Sequence, residues 1–171
     1  MMKKTLLLLA LCLAVGWISG CSDAKDVFDI ELQIRGEHIF TIKGDIRDHE
    51  YRINLEENDD YWKYKDKGKV RKVEIDYLQY EIQDNRGSGG WVDLYAGDYG
   101  IAFQNTRKVA TLSFGAGENR GRTSVDWVDL GYLNHILNSG RISFWAVGSG
   151  DGIDARVKVY YQIEVTVNPF E

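Results

Sequence analysis

Val157, Val159, Tyr161, Ile163, Val165 and Val167 occupy every second position of one uninterrupted run, with Arg156, Lys158, Gln162, Glu164 and Thr166 between them. Alternation with period two puts one set of side chains on each face of an extended strand. A chain that ends in such a segment needs a sheet with one buried and one watered face, which is the habit of antiparallel sheets. Phe28, Ile30, Leu32 and Ile34 repeat the pattern near the other end. Between Val70 and Gln83 the pattern changes phase. Val73, Ile75 and Tyr77 share one face, then Leu78, Tyr80 and Ile82 share the other. One extra residue near Tyr77-Leu78, a β-bulge, would keep both halves facing the same core. Shorter strands are predicted at Phe40–Lys43, Tyr51–Leu55, Trp91–Tyr95, Lys108–Phe114 and Arg141–Val147.

Glycine-rich breaks separate these runs: Arg35-Gly36-Glu37, Arg86 to Gly90, Gly115 to Gly121 and Gly148 to Gly152. Each reads as a turn. Two segments read as short helices. Asn58-Asp59-Asp60 offers an N-cap before Tyr61 to Lys67, with Gly68 closing it. Asp129 caps Leu130 to Asn138, where Leu130, Leu133, Ile136 and Leu137 share a face and Gly140 follows. The pattern predicts an all-β chain, a single antiparallel β-sandwich of Ig-like or jelly-roll character with one or two short helices. A small β-barrel is the alternative.

The first 20 residues have a different purpose. Lys3 and Lys4 make a basic start, and Thr5 to Gly20 is an uncharged, mostly apolar stretch. It falls short of the roughly 20 apolar residues of a spanning helix and reads as a signal peptide. Ile18-Ser19-Gly20-Cys21 then resembles the lipobox of bacterial lipoprotein precursors: an aliphatic residue, two small ones and a cysteine. The resemblance implies diacylglycerol on the Cys21 sulfur, cleavage between Gly20 and Cys21, and acylation of the new amino terminus. Several acyl chains hold a protein to a bilayer where one is marginal. Ser22 stands where diderm lipoproteins that resemble this one carry a residue permitting outer-membrane export. The implied location is therefore the bacterial cell envelope, lipid-anchored, at the outer membrane rather than the inner one. Together with the strand pattern, the lipobox makes the chain similar to small β-sandwich lipoproteins of unknown function, a resemblance that carries no site residues with it. The expected organisation is a signal peptide over 1–20, a lipidated cysteine and short tether over 21–26, and a sandwich domain over 27–171.

Composition narrows the function. The chain has 21 Lys+Arg against 26 Asp+Glu, a net charge of −5, and loss of Lys3 and Lys4 with the signal takes it to −7. An acidic domain is a poor partner for nucleic acid. Cys12 leaves with the signal and Cys21 is modified, so the domain has no disulfide and no thiol chemistry.

No nucleotide or cofactor fingerprint appears, and no cofactor is expected. His38, His49 and His135 lack the companions a zinc site needs. Asp151 and Asp154, on a Gly-rich loop, and Asp93 with Asp98 are the carboxylates a calcium ion would use, although Asp-Gly is foremost a turn dipeptide. Glu74 and Asp76 lie on one strand face at a spacing glycosidases use, but on its watered side. Aromatic residues remain. Trp91 and Tyr95 alternate with Val92 and Leu94, and Tyr61, Trp62 and Tyr64 cluster in a charged segment. Trp91, Tyr95, Tyr61 and Trp62 are thus the expected binding surface if they are exposed, and core if they are not. The expected role is non-catalytic: a scaffold or interaction module for an envelope protein, or alternatively a glycan-binding module.

Overall fold

The computed structural model describes residues 29–44, 50–150 and 152–169. Among these residues nine strands form two antiparallel sheets: β1 (Ile30–Lys43), β2 (Tyr51–Asn54), β3 (Val70–Gln83), β4 (Gly90–Asp98), β5 (Arg107–Phe114), β6 (Arg120–Ser124), β7 (Asp126–Trp127), β8 (Arg141–Ser149) and β9 (Asp154–Val167). One sheet runs β1-β9-β3-β6 and the other β2-β8-β4-β5-β7. The pairing is nested. β1 meets β9, β2 meets β8, β3 meets β6 and β4 meets β5, alternately in one sheet and the other. That is the strand order of a jelly roll. Both sheets end in edge strands, so this is a sandwich and not a closed barrel.

The alternating phases point where their chemistry requires. Val157, Ile163, Val165 and Val167 are fully buried between the sheets, against Leu94, Leu112 and Ile142 from the other side. The phase change in β3 is a bulge at Asp76: the register with β9 steps from Ile75↔Ile163 to Tyr77↔Gln162. It lies one residue earlier than the sequence suggested. Val73, Ile75, Leu78, Tyr80 and Ile82 are all buried as a result.

Arg35-Gly36-Glu37 is not a turn. β1 runs straight through it, paired with β9 at every step. Gly36 is there for space, because a Cβ at that position would lie 2.1 Å from the Tyr161 hydroxyl. Gly148 likewise belongs to β8, opposite Val92, and Arg120-Gly121 already belong to β6.

Helix α1 (Asp59–Lys65) links the two sheets at one end of the sandwich. Its cap is Asn58, whose side chain accepts from the Tyr61 amide at 3.0 Å. Helix α2 (Leu130–Leu137) is capped by Asp129, which accepts from the Tyr132 amide at 2.9 Å. Leu133, Ile136 and Leu137 enter the core, while Leu130, in the first turn, is 36% exposed and stays outside it. Asn134 and Asn138, one turn apart, accept from the backbone amides of Ile75 and Val73 at 3.0 and 3.1 Å. β6 pairs with β3 only from Gln79 to Ile82, so α2 satisfies the amides that β6 leaves uncovered.

Candidate binding faces

The aromatic residues nominated by sequence do not converge. Trp91 is 50% exposed on the outer face of the five-stranded sheet, with Val92 and Leu94 buried beneath. Tyr95, on the same face, is half-buried: the Phe103 ring lies over it at 5.1 Å and reaches Trp145 at 6.1 Å. Between Trp91 and Tyr95, Asp93 is held by Lys108 at 2.7 Å and Thr111 at 3.1 Å. Tyr61 is a correction. It is 1% exposed, and its hydroxyl fills the space over Gly140, where a Cβ would come within 2.5 Å. It anchors α1 to the core and lines no surface. Trp62, its neighbour, is 48% exposed. Trp91 pairs with Ser149 at the end of β8, whereas α1 sits beside Gly140 before its start. The length of β8, nine residues or roughly 27 Å, lies between the end that carries Trp62 and the end that carries Trp91.

Gly20, Cys21, His49 and Asp151 lie outside the described residues. Asp154 opens β9 opposite Lys43. Among the described residues, no three His, Cys, Asp or Glu side chains are grouped to hold a metal ion. No helix among them is long and apolar enough to cross a membrane. His38 stacks on Tyr51 at 4.1 Å, beside a hydroxyl contact of 3.1 Å between Tyr51 and Tyr161. The space next to this cluster is about 10 Å³, bounded by apolar side chains such as Phe40 and Phe144, and admits about one water. Burial pushes the Tyr161 phenol well above its ordinary range.

Glu74 and Asp76 are both engaged. Glu74 pairs with Lys72 at 2.7 Å, and Asp76 accepts from Gln162 at 2.6 Å. They flank Glu164 on the outer face of the four-stranded sheet, where burial and then Glu31, Asp76 and Glu74 raise its carboxyl above the usual range.

Further along that face is a groove of about 350 Å³ lined by Arg35, Gly36, Glu37, Tyr77, Arg122 and Tyr160. Four strands contribute to it. Tyr160 is fixed at both ends: its hydroxyl donates to Glu81 at 2.7 Å, and the Arg122 guanidinium lies 3.7 Å above its ring. Lys158 lies 4.9 Å from that ring and bridges to Glu37 at 2.8 Å. Arg35 donates through Nε to Gln162 at 2.5 Å and through Nη2 to Gln33 at 3.0 Å. The hydrogen bonds from Gln83 and Tyr160, with Lys158 and Arg122 nearby, hold the Glu81 carboxyl below its usual range. The result is a shallow, solvent-open trough with a preset Tyr160 ring, Tyr77 beside it and two guanidinium groups. Flat aromatic faces and forked donors suit a carboxylate-bearing or polar partner. Sequence reasoning missed it. Its one local mark is Tyr160, an aromatic residue in the polar phase of the surest strand.

No protein-family model and no curated protein matches this chain. Among solved structures, the chain is similar to a chain of turnip yellow mosaic virus, at 9% identity and a TM-score of 0.35, covering 81% of this chain and 80% of that one. It is also similar to a chain of mud crab tombus-like virus, at 9% identity and 0.36, covering 82% and 81%. A chain from infectious bursal disease virus Gx strain reaches 14% identity and 0.37, with 82% of this chain against 33% of that one. At these scores and identities the likeness has no bearing on what the chain does.

Proposed function

We propose that the chain is a lipid-anchored, non-catalytic recognition module of the bacterial cell envelope, held at Cys21 and binding an envelope protein through the groove on its four-stranded sheet. The observation that carries this is the Arg122–Tyr160–Glu81 stack beside Arg35 and Tyr77. Arg and Tyr are the residues that dominate protein interfaces when held rigidly, because little side-chain freedom is left to lose. The carboxylate pair a hydrolase would need is instead tied to Lys72 and Gln162 on an open face, which favours binding over catalysis. A second reading, a glycan-binding module, is favoured by Trp91, whose half-exposed ring lies in register with Ser113 and Ser149.

Crosslinking and co-purification of the intact protein from membranes tests both. A protein partner that is retained by the native chain and lost with Arg122→Ala and Tyr160→Ala is the expected result. A partner that ignores both substitutions excludes the groove. Retained polysaccharide that is lost with Trp91→Ala puts the glycan reading first.

A further inference from the structure

The two ends of the sandwich differ in what they offer a membrane, and the chain's own path selects one of them. Val167 pairs with both Ile30 and Val70, so the starts of β1 and β3 and the end of β9 lie together. Asp29 is pinned to this end by Asn168 at 3.1 Å and Arg71 at 3.5 Å, and the Asn168 amide donates to the carbonyl of Lys69, just beyond α1. Here the domain receives the chain from Cys21. Eight Cα–Cα steps separate Cys21 from Asp29, a reach of no more than about 30 Å at full extension.

Among the described residues, the large apolar side chains exposed at this end include Ile30 at 42% and Trp62 at 48%, with Tyr99 at 41% just past the β4 residue that pairs with Ile142. Tyr61 locks α1 into the core and leaves Trp62 facing outward on a segment that exposes Asp59, Asp60 and Asp66 as well as Lys63 and Lys67. Lys65 is already engaged by Glu56 at 3.0 Å and the Ser139 carbonyl at 2.9 Å. Tryptophan favours the headgroup level of a bilayer, while the mixed charges of α1 add no net attraction to an anionic surface. The carboxylates Glu31, Glu74 and Glu164 lie nearby on the outer sheet face. They add to the carboxylates of α1, so the tryptophan and not charge is what this end offers a bilayer.

We infer that α1 is a second membrane contact, with Trp62 seated among lipid headgroups. The inference rests on the lipid anchor proposed above. It implies a domain held in one orientation, with the groove at the side of the sandwich, standing away from the bilayer and open to a partner.

The test uses full-length protein purified from membranes and reconstituted into vesicles of phosphatidylethanolamine and phosphatidylglycerol with brominated acyl chains, which quench tryptophan on contact. Quenching should be present in the native protein and lost with Trp62→Phe. It should be unchanged with Trp91→Phe at the far end. Equal quenching with and without Trp62 overturns the contact. Intact mass reports the acyl chains independently. An acylated protein without Trp62 quenching removes the docking and leaves the anchor, whereas an unacylated protein removes the anchor and the docking with it.

Discussion

The two outer faces of the sandwich have been treated differently. On the five-stranded sheet, the segment after β4 folds back and lays Phe103 over Tyr95 and Trp145, leaving Trp145 only 7% exposed on what would otherwise be a watered face. On the four-stranded sheet nothing among the described residues folds back. Its aromatics, Tyr77 and Tyr160, remain half-exposed, and Tyr160 is held by charged neighbours instead of by a covering loop. Apolar cover contributes to stability, while an open aromatic trough contributes little and stays available. The covered part of the first face is therefore structural, and the second stays open to the partner proposed for it.

The sharpest way to break this comparison is to truncate one aromatic on each face. Trp145→Ala removes a nearly buried indole and the contact with Phe103, and should cost about 3–5 kcal/mol in urea unfolding. Tyr160→Ala on the open face should cost about 1 kcal/mol or less, chiefly the hydrogen bond to Glu81. Equal losses would mean that the groove is as structural as the covered face, and the binding proposal would lose its basis.

A smaller effect is expected where the groove meets the core. Gly36 lies in the floor of the trough, and behind it the Tyr161 hydroxyl occupies the space of a side chain. Gly36→Ala must push that ring aside, against Tyr51 at 3.1 Å, at a cost of about 1–3 kcal/mol. Combined with Tyr161→Ala, which empties the same space, the two losses should sum to less than their separate values. Strict additivity in the double-mutant cycle would show that Gly36 is not a slot for Tyr161.

That glycine also shows where the sequence stops being legible. Period-two alternation located β9, β3 and most of β4, β5 and β8, because burial of one face enforces it residue by residue. Gly36 looks like a turn locally, and only the partner strand reveals that it makes room. β6 and β7 escaped notice because Arg-Gly-Arg-Thr-Ser and Asp-Trp bury no face and carry no alternation. Tyr61 and Trp62 are adjacent in a seven-residue helix, too short for periodicity to say which one turns inward. The groove was the least readable feature. Arg35, Tyr77, Arg122 and Tyr160 are far apart in the chain, and they meet only through the nested order β1-β9-β3-β6.

The smallest predicted effect concerns charge on the open face. Glu164 sits directly across from Glu74, with Glu31 and Asp76 close by and Lys72 as the opposing charge. Burial and these carboxylates raise its folded pKa above the unfolded value of about 4.3. Below that value the group is protonated in both states and is neutral to folding. As pH rises through the folded pKa, the unfolded chain gives up the proton more readily and stability falls. Glu50 and Glu81 act in the opposite sense. Glu50 is lowered chiefly by its hydrogen bond from Arg52, and Glu81 chiefly by that from Gln83. Their contributions are present at neutral pH and are lost as pH drops through their folded pKa values. Glu164→Gln should therefore raise Tm by about one to three degrees at neutral pH, and the gain should vanish below about pH 4. A gain that persists in acid would point to better packing rather than relief of repulsion. A loss at neutral pH would mean that Lys72 outweighs the three carboxylates around it.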